Sequence, residues 1–195
     1  MPILEVANFL SKLLKAIAAI LDRNYIGRVR ELEAPDLHLL QAAQGWMGLG
    51  SLSDALTELD GISRENQRHP AVLELRWIIY IQQENWDAAL VAATDLVAEA
   101  PESANSWLHR SYALRRATGG GVAKARAALE VALEKFPEEP VISYNLSCYA
   151  CQMQDLDVAR RWFQRALESG KKKEIKRMAL ADPDLEPLWE EIRRL

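Results

Sequence analysis

Residues 144–167 read YNLSCYACQMQDLDVARRWFQRAL, and this stretch decides the fold. Its second half places Leu156, Ala159, Phe163 and Ala166 three or four residues apart. Side chains at these intervals share one face of an α-helix, so this half predicts a helix with one apolar face. A helix of similar length precedes it, and the stretch therefore predicts two antiparallel helices joined by a short turn.

The same arrangement occurs four times along the chain. Four alanines mark it at intervals of 34, 36 and 34 residues: Ala55, Ala89, Ala125 and Ala159. An apolar residue stands three residues before each alanine, at Leu52, Trp86, Val122 and Leu156. Apolar residues also stand four residues after it, at Leu59, Ala93, Leu129 and Phe163, and seven residues after it, at Ile62, Leu96, Ala132 and Ala166. The preceding helices begin near Asp36, at Pro70, near Ser103 and at Pro140. The sequence TGGG at residues 118–121 accounts for the longer interval, because it predicts a longer interhelical turn.

This repeat resembles the tetratricopeptide repeat (TPR) family, whose unit is a pair of helices in 34 residues. Besides residues 144–167, the matching stretches are WLHRSYAL at 107–114 and AKARAALEVALEKFP at 123–137. The resemblance implies an all-α fold, a right-handed superhelical α-solenoid of four TPR-like helix-turn-helix repeats with N- and C-terminal capping helices. One departure concerns Trp77, which stands where the family has a small residue.

The resemblance also divides the chain. We expect an N-terminal amphipathic helix and linker at residues 1–35, four repeats at residues 36–69, 70–103, 104–139 and 140–173, and C-terminal capping helices at residues 174–195. A solenoid leaves an apolar face open at its last repeat, so a terminal helix has to cover it. The turn Asp182-Pro183-Asp184 begins an ending that is similar to those of other bacterial TPR proteins.

The composition excludes several classes of function. The 24 basic and 28 acidic residues give a net charge of −4, which provides no general attraction to nucleic acid. The two cysteines cannot form a disulfide scaffold, so we expect a reducing, cytoplasmic location. The most apolar stretch, residues 3–21, contains charged residues, and we therefore expect no stable membrane insertion.

The family places the partner-binding groove on the first helix of each repeat. The positions that usually face this groove correspond here to Leu37, Leu40, Gln44, Met47, Glu74, Ile78, Ile81, Leu108, Tyr112, Arg115, Arg116 and Tyr144. These residues are mostly bulky and apolar, with Arg115 and Arg116 as a basic edge. The chain is therefore interpreted as a protein-interaction module, a scaffold that binds a peptide or amphipathic helix of a protein partner in an adaptor or chaperone-like role.

One groove function of the family is excluded by the residues present. TPR cochaperones that hold the C-terminal carboxylate of a chaperone use a clamp of Lys, Asn and Arg. The matching positions here are Leu40, Gln44, Leu75, Asn105 and His109, which cannot form that clamp.

The N-terminal segment suggests an alternative function. The residues Ile3, Val6, Leu10, Leu13, Ile17 and Ile20 follow the 3-4 spacing of a coiled-coil seam. Such an apolar face has to pack somewhere, because each large side chain costs roughly 1.5–3 kcal/mol when it is left in water. Residues 3–23 could cap the solenoid, fill its groove or form an oligomer interface. In the last case the protein is a structural, self-assembling homo-oligomer.

The sequence contains no pattern that predicts an enzyme, a cofactor or a metal site. The spacing C-x-x-C at Cys148 and Cys151 lies within a predicted helix, without a second pair of ligands, and is interpreted as two structural thiols. The three histidines, His38, His69 and His109, show no metal-binding spacing. We therefore expect binding rather than catalysis.

Overall fold

The computed structural model describes residues 31–195, which form ten α-helices and one 3-10 helix without any β-strand. The α-helices are α1 (Asp36–Gly48), α2 (Leu52–Asp60), α3 (Pro70–Gln82), α4 (Trp86–Glu99), α5 (Ala104–Leu114), α6 (Val122–Lys135), α7 (Pro140–Gln152), α8 (Leu156–Ser169), α9 (Lys172–Ala179) and α10 (Trp189–Arg194). The 3-10 helix spans Pro183–Leu188 and precedes α10. The predicted all-α fold is confirmed for these residues. The predicted N-terminal helix lies outside them, with its apolar positions Ile3, Val6, Leu10, Leu13, Ile17 and Ile20.

Local sequence signals set the helix ends. Pro70 and Pro140 occupy the first positions of α3 and α7, where the missing N–H of proline costs no hydrogen bond. The side chains of Asn85 and Asp155 cap α4 and α8, each accepting a hydrogen bond of 3.2 Å from a backbone N–H in the first turn. The helices of the second and fourth repeats therefore start at positions that the sequence itself specifies.

The repeat alanines allow the helices to approach closely. Ala55, Ala89, Ala125 and Ala159 have no exposed surface. In the third repeat the buried Ser111 hydroxyl donates to the carbonyl of Ala125 at 3.0 Å. In the fourth, Ser147 donates to the carbonyl of Ala159 at 2.8 Å. A small residue in the second helix thus lets a side chain of the first helix reach its backbone.

Trp77 breaks this pattern in the second repeat. It occupies the position of Ser111 and Ser147, as the repeat intervals show, and it is fully buried. Alanines provide the space for the indole ring, since the same core cluster contains Ala89, Ala92, Ala93 and Ala113. Trp77 Nε1 finds no hydrogen-bond acceptor within the described part of the chain.

The C-terminal elements close the last repeat. Leu185, Leu188 and Ile192 are fully buried in one core cluster with residues of α8, among them Phe163. The Trp189 indole N–H donates to the carbonyl of Ala179 at 2.8 Å, which ties α10 to α9. The basic residues Lys171, Lys172 and Lys173 lie at the N-terminus of α9.

The glycine turn between α5 and α6 yields a test of stability. A Cβ at Gly120 would lie 1.9 Å from the carbonyl oxygen of Leu114, whereas a Cβ at Gly45, an exposed residue of α1, would meet nothing within 4 Å. We expect Gly120→Ala to lower the free energy of unfolding by about 1–3 kcal/mol through overpacking. Gly45→Ala should raise it by up to about 1 kcal/mol through helix propensity. Urea titration followed by circular dichroism measures both, and equal effects would contradict this description of the turn.

Candidate partner-binding groove

The predicted groove residues differ widely in exposure. We call the side of α1, α3, α5 and α7 that carries them the groove face. Leu37 and Gln44 are exposed, and the residues that are partly buried are Met47, Glu74, Leu108, Tyr112, Arg115 and Arg116. The buried ones are Leu40, Ile78, Ile81 and Tyr144. Ile78 and Ile81 expose only 3% and 6% of their surface, so a ligand would touch little of them in this conformation.

Aromatic rings pack where α3, α5 and the N-terminus of α4 meet. His109 stacks on Trp77 with ring centroids 3.8 Å apart and an angle of 10° between the planes. Tyr112 meets Trp77 edge-on at 6.2 Å and Trp86 at 6.0 Å. We call these four residues the aromatic cluster. At one end of it, His109 Nε2 lies 3.2 Å from a carboxylate oxygen of Glu74.

Arg116 lies at the other end of the aromatic cluster. The central carbon of its guanidinium is 3.9 Å from the ring centroid of Tyr112 and 5.0 Å from that of Trp86. One N–H donates to the backbone carbonyl of Tyr112 at 3.2 Å. Burial lowers the pKa of Arg116, and the positive charge of Arg115 acts in the same direction. Within residues 31–195, no carboxylate forms an ion pair with this guanidinium.

Arg115 has a different environment although it is the adjacent residue. Both of its terminal nitrogens donate to the carboxylate of Asp184, one of them at 3.1 Å. Gln152 of α7 donates to the same carboxylate. Burial lowers the pKa of Arg115, but the hydrogen bonds and the charge of Asp184 outweigh that effect and raise it. The Arg115 charge is thus neutralised by a residue of the C-terminal turn.

A second carboxylate of the C-terminal turn also binds the groove face. The Tyr144 hydroxyl donates to Asp182 at 2.8 Å, and the Cys148 thiol lies 3.7 Å from the same oxygen. Burial raises the pKa of Tyr144, so its hydroxyl keeps the proton that it donates. Side chains of α5 and α7 therefore hold the turn at residues 182–184, which closes this face at the fourth repeat.

The two cysteines are buried, protonated thiols. Burial raises the pKa of Cys148 well above its ordinary value and that of Cys151 to about 11. Cys148, Asp182 and Asp184 each offer one ligand atom within 4.8 Å of the others, as a metal site requires. However, Arg115 already neutralises Asp184, and a cation there would be repelled by the guanidinium. We therefore assign these groups to the closure of the last repeat.

The sequence reasoning missed part of this site. It placed Glu74, Tyr112 and Arg116 on the groove face, but it did not predict that Trp77 and His109 contact each other. Trp77 is the residue from which an unusual contact could have been predicted, because it stands where the family has a small residue. Its size brings His109 and Tyr112 of the next repeat against it, and this contact joins α3 to α5.

The comparisons with known proteins support the fold alone. No family model matches the sequence, and no curated protein does. A thermophilic TPR protein from Thermus thermophilus is 20% identical, covers 80% of this chain and 82% of its own, and superposes with a TM-score of 0.60. A crystal structure of MamA is 20% identical, with coverages of 84% and 86% and a TM-score of 0.61. MamA from Desulfovibrio magneticus, residues 41 to the end, is 20% identical, covers 69% of this chain and 75% of its own, and superposes with a TM-score of 0.60.

These similarities confirm the predicted α-solenoid and show that the chain has a TPR-like fold. Among the described helices, none is both long and apolar enough to cross a membrane.

Removing the carboxylate of Asp184 should destabilise the protein. Asp184→Asn leaves the partly buried charge of Arg115 without its counterion, and we expect a loss of about 1–3 kcal/mol in the free energy of unfolding. Asp157→Asn is the matched control, because exposed Asp157 pairs with Arg160, which Glu191 also holds. Its effect should stay within about 0.5 kcal/mol. Urea titration measures both, and equal losses would contradict the described role of Asp184.

The thiols should react slowly in the folded protein. Burial raises the pKa of Cys151 by about two units, to about 11, so its thiolate fraction at neutral pH is roughly 100-fold below that of a free cysteine. Its rate of alkylation by iodoacetamide should rise with pH towards that pKa. In urea both cysteines should react at the rate of a free thiol. A rapidly labelled thiol in the native protein at neutral pH would show that the closure of the last repeat is described wrongly.

Proposed function

We propose that this TPR-like solenoid binds a segment of a partner protein on its groove face, in an extended or helical conformation. The observation that carries the proposal is the contrast along that face. At the fourth repeat the chain's own C-terminal turn is bound to Arg115, Tyr144 and Gln152. Towards the first repeat, Leu37 and Gln44 remain exposed.

The contact residues of this proposal follow from their exposure. Leu37, Gln44 and Met47 of α1 and Leu108 and Tyr112 of α5 are exposed or partly buried and present surface to a ligand. The buried residues Leu40, Ile78 and Ile81 belong to two core clusters, and Met47 packs against both of them. A ligand that contacts the named residues of both α1 and α5 would bury apolar surface, and this burial would be the main driving force for association.

The mechanism is binding rather than catalysis. The thiols Cys148 and Cys151, the strongest nucleophiles among the residues described, are buried and protonated. An adaptor or chaperone-like protein in the cytoplasm would need no reactive group. The alternative function, self-assembly into a homo-oligomer through residues 3–23, stays a prediction, because that segment lies outside the described residues.

Matched apolar-to-acidic substitutions test the proposal. The probe is a random peptide library displayed on phage, selected against the full chain, and the selected peptides are then measured individually by calorimetry. Leu37 is 37% exposed on the groove face, and Val91 is 63% exposed on α4, a second helix. We expect Leu37→Glu to weaken peptide binding by about tenfold or more and Val91→Glu to leave it unchanged. Both variants should keep the thermal stability of the parent chain.

The opposite ranking would overturn the proposal. Peptides that lose affinity with Val91→Glu and not with Leu37→Glu bind the second helices, and the groove face is then not the binding site. A library that yields no peptide at all argues against a peptide-binding function in the same way.

A further inference from the structure

Arg115 and Arg116 are neighbours in sequence, but among the described residues only Arg115 forms an ion pair. Arg115 is neutralised by Asp184, as described above. Arg116 forms no ion pair with any residue from 31 to 195, although burial removes it partly from water. A desolvated cation without a counterion is unfavourable, and proteins keep such groups mainly where a ligand supplies the missing charge.

The position of Arg116 is fixed before any ligand arrives. Its guanidinium lies against the rings of Tyr112 and Trp86, and such cation–π contacts hold an arginine in one orientation. The carbonyl of Tyr112 accepts one of its N–H groups. A guanidinium carries five donors in a planar fork, so the contact to Tyr112 leaves donors that can bind a carboxylate through two parallel hydrogen bonds.

A local explanation accounts for only part of this arrangement. Arg116 follows the C-terminus of α5, where the helix dipole favours a positive charge. Arg115 already occupies the capping position of that helix end and provides one such charge. The dipole therefore does not explain why a second, stacked arginine is kept without an ion pair to any residue of the described part of the chain.

We propose that Arg116 binds the carboxylate of an aspartate or glutamate in a peptide segment that occupies the groove face. This inference rests on the proposed function and specifies the chemistry of the partner. A single negative charge fits the site better than a phosphate group does, because Asp184 lies close enough to act on Arg116 electrostatically. Phosphate-binding sites generally use several arginines, and Arg115 is already occupied.

The position of Arg116 also orients the partner. It is adjacent to Arg115, where the C-terminal turn closes the groove face, and the exposed residues Leu37 and Gln44 lie in the first repeat. The acidic residue of the partner therefore lies at the end of the bound segment near the closed fourth repeat. The apolar residues of the segment lie towards α1.

The test is a double-mutant cycle between Arg116 and the acidic residue of a selected peptide. The probe is a peptide from the phage selection described above, measured by calorimetry with the full chain. We expect acidic residues to be enriched among the selected peptides and Arg116→Gln to weaken binding by about tenfold. Replacing the acidic residue of the peptide by its amide should cost the parent chain the same factor and should cost the Arg116→Gln variant nothing.

Arg110 provides the matched control. It is also half-buried and stacked on an indole, with its guanidinium 5.0 Å from the ring centroid of Trp107. Arg110 and Tyr112 are two residues apart on α5, and their side chains therefore point about 200° apart around the helix. Arg110→Gln removes an equivalent cation–π contact and should leave peptide binding unchanged. Arg116→Lys, which keeps the charge but loses the planar fork, should weaken binding less than Arg116→Gln does.

The outcomes separate this inference from the proposed function. If Leu37→Glu weakens binding but Arg116→Gln does not, the groove face binds peptides and the assignment of Arg116 is wrong. If neither substitution weakens binding, both proposals fail. A phosphorylated peptide that binds Arg116 more tightly than the matching glutamate peptide would overturn the choice of a carboxylate. If Arg116→Gln lowers the thermal stability, the comparison is made with Arg116→Lys, which retains the positive charge. Arg116→Lys should then bind the peptide more tightly than Arg116→Gln does, and equal binding by the two variants would contradict the inference.

Discussion

The close approach of two helices at a buried alanine is the constraint on which the rest of the structure depends. Ala55, Ala89, Ala125 and Ala159 have no exposed surface, and any larger side chain would push the two helices of a repeat apart. The serine-to-carbonyl hydrogen bonds of the third and fourth repeats are possible only at this separation. The spacing of the four alanines therefore sets how each pair of helices packs and where the next pair begins.

The second repeat uses the same position differently. Trp77 replaces the small residue and cannot bond to the carbonyl of Ala89 as a serine would. It fills the space that the surrounding alanines leave, and it stacks on His109 of the next repeat. The interface between the second and third repeats consequently becomes aromatic. This difference packs α3 against α5 through aromatic rings, and Arg116 stacks on two rings of the same cluster, Tyr112 and Trp86.

The C-terminal turn determines how much of the groove face is open. Asp182 and Asp184 bind side chains of α5 and α7, while Leu185 and Leu188 complete the last core cluster. The turn thus completes the core and also neutralises Arg115. Of the two arginines that could attract an acidic partner, only Arg116 keeps an unneutralised charge within the described chain. Closure of the last repeat and neutralisation of Arg115 depend on the same short segment.

The sequence by itself determined the helices, their intervals and the all-α class, because these depend on contacts between residues three or four positions apart and on prolines and polar caps at helix ends. It also predicts that Tyr112 and Arg116 face the groove. It could not show that Ile78 and Ile81 are buried, that His109 stacks on Trp77, or that Arg115 pairs with Asp184. Those contacts join residues about 30 to 70 positions apart. Only the packing of one repeat on the next brings such residues together, so the tertiary structure alone decided which groove residues are available to a partner.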